Sequence, residues 1–89
     1  MAPTYRTRDI APTPADKEEF EQAVHDAVRA IYHNGSRALH IYNIYDITRW
    51  QRTASTSHRI GYAFRHLGLV QMAKPNNRYI YKIPPEAVA

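Results

Sequence analysis

Four stretches follow one another between residues 44 and 83: Ile44-Tyr45-Asp46-Ile47-Thr48, Ser55-Thr56-Ser57-His58-Arg59-Ile60, Leu67-Gly68-Leu69-Val70 and Arg78-Tyr79-Ile80-Tyr81. Ile44 and Ile47 stand three apart, and Ile41 and Trp50 extend the row, so a short helix is expected over about 41–50. Arg52 to Ala54 reads as a turn. Ser55 or Thr56 then caps a further helix that runs to about Leu67, with Ile60, Ala63, Phe64 and Leu67 on its buried side. At about 100° per residue, Ser55, His58, Tyr62 and Arg65 point the opposite way, flanked by Arg59 and His66. Gly68 stops the helix. Leu69–Lys74 and Arg78–Ile83 alternate as strands do, and Pro75-Asn76-Asn77 between them is a turn signal, because Pro presets φ and Asn tolerates the left-handed region. The order is helix, turn, basic helix, two-stranded ribbon.

Upstream, a first helix is expected from Thr13, with Thr13 as N-cap, Pro14 at the first helical position and Asp16 three residues after the cap. Asp16, Glu18 and Glu19 fall where the positive end of the helix dipole favours them. Phe20, Val24, Ala27, Val28 and Ile31 recur at three- and four-residue spacing, and Asn34-Gly35 ends the element. Arg37 to His40 is a candidate short strand. Pro3, Pro12 and Pro14 interrupt any regular element near the start, so residues 1–12 read as an arm. Residues 13–84 read as one domain, and Pro84-Pro85 opens a tail over 85–89.

Eighty-nine residues allow one small domain with a marginal core. The chain has no cysteine, which excludes disulfides and cysteine-ligated zinc. No apolar run approaches the ~20 residues of a membrane span. Met1 to Thr13 lacks the apolar stretch of a signal peptide. The expectation is a soluble, cytoplasmic protein. The net charge is +4, unevenly spread. Residues 1–34 hold four basic and six acidic side chains, a net −2, and residues 35–89 hold eight basic and two acidic ones, a net +6. A polyanion is drawn to the second part.

Catalysis finds no footing. The acids cluster on the first helix, and three glycines in total exclude a phosphate-cradling loop. His25, His33, His40, His58 and His66 form no metal-ligating pair at the required spacing. No enzyme activity, cofactor or metal is expected. Of the seven tyrosines, Tyr42, Tyr45, Tyr79 and Tyr81 could stack on unpaired bases, although such residues more often fill a small core. Core is favoured for most, Tyr62 excepted.

The pattern from about Asp16 to Ile83 resembles winged helix-turn-helix domains, as found in MarR-like and related small archaeal and bacterial regulators. The Leu67-Gly68-Leu69-Val70 step is where such families leave the recognition helix and enter the wing, and the Arg37–His40 strand would join the ribbon of that wing. The resemblance implies an α+β fold of three helices with a two- to three-stranded antiparallel sheet. It implies binding of double-stranded DNA, with the third helix in the major groove and the wing on the adjacent backbone, in the service of transcription regulation. The contact residues it implies are Arg52, Thr53, Ser55, Ser57, His58, Arg59, Tyr62 and Arg65 on the turn and third helix, and Lys74, Asn76, Asn77 and Arg78 at the wing tip. Arg6 and Arg8 of the arm could reach a phosphate or a minor groove, but a disordered tail is the favoured reading of that segment. The segment Trp50-Gln51-Arg52-Thr53-Ala54 departs from the pattern in having no glycine, and no long flanking helices are present. The same outline occurs in a small-subunit ribosomal protein of archaea and eukaryotes, which leaves RNA open, and a protein-interaction winged helix is the remaining alternative. A homodimer is expected from the pairing of half-sites, with Ala23, Ala30 and Tyr32 of the first helix as its candidate surface.

Overall fold

The structure is a computed structural model that describes residues 10–72 and 80–89. In order along the chain come α1 (Lys17–His33), β1 (Ala38–Leu39), α2 (Ile41–Thr48), α3 (Ala54–Leu67), β2 (Val70–Gln71), β3 (Tyr81–Lys82) and a closing 3-10 turn (Pro85–Val88). The three helices pack on one another beside a three-stranded antiparallel sheet of order β1-β3-β2, so the fold is α+β. Lys82 pairs with Ala38 on one side and Val70 on the other, and Tyr81 pairs with Leu39 and Gln71. The short strand expected upstream of α2 is present as β1 and pairs with β3.

Local chemistry explains each boundary. Asp16, not Thr13, caps α1: its carboxylate accepts from the Glu19 amide at 3.0 Å. Thr13 and Asp16 are both good caps in sequence, and a carboxylate is the better charge for the dipole. Gly35, at φ 105°, reverses the chain after the helix. His40 caps α2, its Nδ1 accepting from the Tyr42 amide while its own amide donates to Asn43 Oδ1 at 2.9 Å. The helix ends at Thr48, short of Trp50, because Arg49 takes the left-handed conformation at φ 68°. That conformation is costly for a residue with a Cβ, by roughly 1–2 kcal/mol. It supplies the reversal that a glycine would otherwise provide in this glycine-free turn. Thr53 caps α3, two residues ahead of Ser55 and three ahead of Thr56, accepting from the Thr56 amide at 3.0 Å. Gly68 ends α3 at φ 88°.

Phe20, Val24, Val28, Ile44, Ile60, Phe64 and Ile83 are fully buried and make the centre of the core. Trp50 leaves the α2 row and stacks on Phe20, ring centroids 4.7 Å apart. Phe64 meets Tyr81 edge-on at 4.8 Å. Ile47, expected on the buried side of α2, is 46% exposed. The buried arc of this short helix is centred between Ile44 and Tyr45, and Ile47 stands about 110° from its middle at the helical repeat. The expected arm and tail are also partly tied in. The Ala11 amide donates to the Arg49 carbonyl at 2.8 Å. Ala87 and Val88 are buried, and His25 Nε2–H donates to the Ala87 carbonyl at 3.1 Å. Among the described residues no helix is long and apolar enough to cross a membrane.

Candidate nucleic-acid interface

The outward side of α3 is built by the same periodicity that buries its other side. With Thr56, Ile60, Ala63 and Phe64 turned into the core, Ser55, His58, Tyr62 and Arg65 are left exposed, Tyr62 at 58%. Among the described residues none of these four side chains has a hydrogen-bond or ionic partner. They form a strip of one guanidinium, one imidazole, one phenol and one hydroxyl. Such groups serve base edges and phosphates alike.

The other expected contact residues on this side are engaged within the chain. Thr53 holds the N-terminus of α3, its hydroxyl also bonded to Thr56 Oγ1 at 3.0 Å. Ser57 is half-buried, its hydroxyl 2.7 Å from that of Tyr45, and the Tyr45 hydroxyl also donates to the Thr53 carbonyl at 3.2 Å. Arg59 does not stand free beside the strip. Its guanidinium lies 3.9 Å from the centroid of Phe20 and donates to the carbonyls of Pro14 (2.9 Å) and Ala15 (3.4 Å). At its helical position it faces α1, and the Pro14 and Ala15 carbonyls just ahead of that helix are within its reach. His66, on the same side, donates from Nδ1 to a Glu21 carboxylate oxygen at 2.7 Å.

Arg52 sits at the edge of the strip. It pairs at 3.5 Å with Asp46, both side chains well exposed, and lies over the Tyr42 ring at 5.0 Å. An exposed pair of this kind contributes little to stability, so the guanidinium can exchange Asp46 for a phosphate at small cost. Lys74, Asn76, Asn77 and Arg78, and also Arg6 and Arg8, lie outside the described residues.

Beside the strip a groove of about 460 Å³ runs between α3 and the sheet. Gly61, Gln71 and Tyr81 line it; of these the sequence had singled out Tyr81, as a stacking or core tyrosine, but not Gly61 or Gln71. The signal for Gly61 was present, since glycine in the middle of an amphipathic helix is out of place. Gln71 and Tyr81 reach the groove only through sheet pairing, which no local pattern reveals. The tyrosines separate as expected of a small core: Tyr45 and Tyr81 are buried and Tyr62 is exposed, while Tyr42 is also exposed. Among the described residues no three of His, Asp and Glu are grouped closely enough to hold a metal ion. Of the candidate dimer surface, Ala23 and Tyr32 pack partly against the core and Ala30 is exposed. The chain matches no protein-family model, no curated protein and no solved structure.

Proposed function

We propose that the chain is a winged helix-turn-helix domain that binds double-stranded DNA and regulates transcription. α2 and α3 are the helix-turn-helix, the β2–β3 ribbon is the wing, and α3 enters the major groove. One observation carries the reading. The side of α3 that is left uncovered bears Ser55, His58, Tyr62 and Arg65 and stands next to the ribbon. This is the placement in which a recognition helix meets bases while a hairpin meets the neighbouring backbone. The +6 balance of residues 35–89 agrees with a polyanionic partner. Arg65 and His58 are the base-reading candidates, Tyr62 and Arg52 the backbone candidates. Arg59, Thr53 and Ser57 hold the helix in place.

A second reading rests on Val70 and Met72, which are 55% and 48% exposed on the ribbon. Exposed apolar side chains of this kind suit a protein partner. Gel shifts with one labelled duplex DNA, challenged by unlabelled duplex DNA, single-stranded DNA and duplex RNA, separate the readings. Duplex DNA is expected to compete best. Better competition by RNA would move the assignment to RNA, and no shift with any nucleic acid would leave the protein-partner reading. A homodimer on paired half-sites belongs to the proposal. Sedimentation of the protein with duplex is expected to give two chains per duplex, and one chain per duplex would remove the dimer.

A further inference from the structure

Gly61 lies in the middle of α3, where glycine is, proline aside, the residue a helix tolerates least. Nothing among the described residues accounts for it. Of the three glycines, Gly35 and Gly68 have positive φ and Gly61 does not, so Gly61 keeps ordinary helical backbone that any residue adopts. A Cβ added to it would meet nothing within 4 Å among the described residues, so no neighbouring element presses against it. The position opens instead on the groove between α3 and the sheet, with Ser57 and Arg65 on its own helix and Ile41, Gln71 and Tyr81 opposite. Arg65 is exposed at the rim, and His58, which also lines the groove, stands one turn before Gly61. The lining is mostly apolar, His58, Arg65 and Gln71 add cationic and hydrogen-bonding groups, and the half of the chain that builds it is strongly basic.

We propose that this groove seats one sugar–phosphate strand of a nucleic-acid duplex, and that Gly61 is the point where that strand comes nearest to α3. The inference rests on the nucleic-acid reading above. A sugar ring packs on the apolar floor, and its phosphate is met by Arg65 and by the exposed Gln71 amide. Glycine is used where a backbone must approach another chain closely, and here the other chain is the ligand. Arg65 then serves the backbone as well as the bases.

The test is Gly61→Ala, measured by melting temperature and by affinity for a duplex at fixed salt. A helical Gly-to-Ala change into open space raises the melting temperature. The added methyl intrudes on the seated strand, and the dissociation constant is expected to rise roughly tenfold. A structural role cannot produce that opposition of signs. A higher melting temperature with unchanged affinity would overturn the inference while leaving nucleic-acid binding intact. A lower melting temperature would overturn it too, by showing that the fold itself needs the glycine. If wild-type protein bound no duplex, the nucleic-acid reading and this inference would fall together.

Discussion

The hydroxyl of Tyr45 lies 2.7 Å from that of Ser57, so one buried phenol fastens α2 to the first turn of α3. The same phenol also donates to the Thr53 carbonyl. The angle between the two helices is therefore held by side-chain hydrogen bonds across a turn whose reversal comes from Arg49. The strip formed by His58, Tyr62 and Arg65 is presented at whatever angle this joint sets.

Tyr45→Phe keeps the ring and removes both bonds. The expected cost is about 1–2 kcal/mol, the usual net contribution of two neutral hydrogen bonds, since the Thr53 carbonyl keeps its bond from the Ser57 amide. Urea denaturation measures it. A cost near zero would show that ring packing alone holds α2 on α3.

Arg59 and Arg65 are six residues apart on one helix, and they are expected to behave oppositely. Arg65→Ala should weaken duplex binding by ~1–3 kcal/mol with little change in melting temperature. Arg59→Ala loses its stacking on Phe20 and its bonds to Pro14 and Ala15. A half-buried contact of this kind is expected to contribute ~1–2 kcal/mol of stability, and affinity for duplex should be nearly unchanged. Equal losses of affinity in the two variants would show that Arg59 releases α1 on binding.

Phe64 is fully buried, against Tyr81. Phe64→Ala should cost ~3–5 kcal/mol, a large share of what a domain of this size has in total. Circular dichroism at 25 °C is expected to report a largely unfolded chain. A folded variant that had merely lost duplex binding would mean that the faces of α3 are the reverse of those described.

Removing residues 85–89 tests the closing turn. The deletion exposes the surface under Ala87 and Val88 and takes away the carbonyl that His25 holds. Burying one valine contributes about 1.5–3 kcal/mol, so a loss of ~2–3 kcal/mol is expected in a denaturant titration. An unaffected midpoint would return this segment to the status of a tail.

Much of the fold was legible because its signals are local. The Ile60, Ala63, Phe64, Leu67 face and the Gly68 stop follow from spacing and from the left-handed preference of glycine, and both are observed. The α+β order of three helices and an antiparallel sheet followed from the same patterns. Caps were placed less well. Thr53, Ser55 and Thr56 are chemically alike, and only the turn set by Arg49 selects the first of them. Pro84-Pro85 read as an end because proline stops strands, yet the residues after it fold back on α1. Ile47 read as core because a three-residue spacing does not say where the buried arc is centred.

The candidate site was legible on one side only. Ser55, His58, Tyr62 and Arg65 were picked out by the helical repeat, and all four are exposed. Arg59 looked equivalent because its true neighbours, Pro14 and Ala15, lie some 45 positions away in sequence. No periodicity within α3 carries that contact.

The most direct measurement is the affinity of the wild-type protein for a duplex DNA as salt is raised, followed by fluorescence anisotropy. Binding through the basic face predicts a linear fall of log K with log salt, with a slope of about −0.9 per phosphate engaged. With several cations on α3, the turn and the ribbon, a total slope of roughly −3 to −6 is expected. No binding at low salt, or binding insensitive to salt, would contradict the assignment of α3 and its groove to nucleic acid.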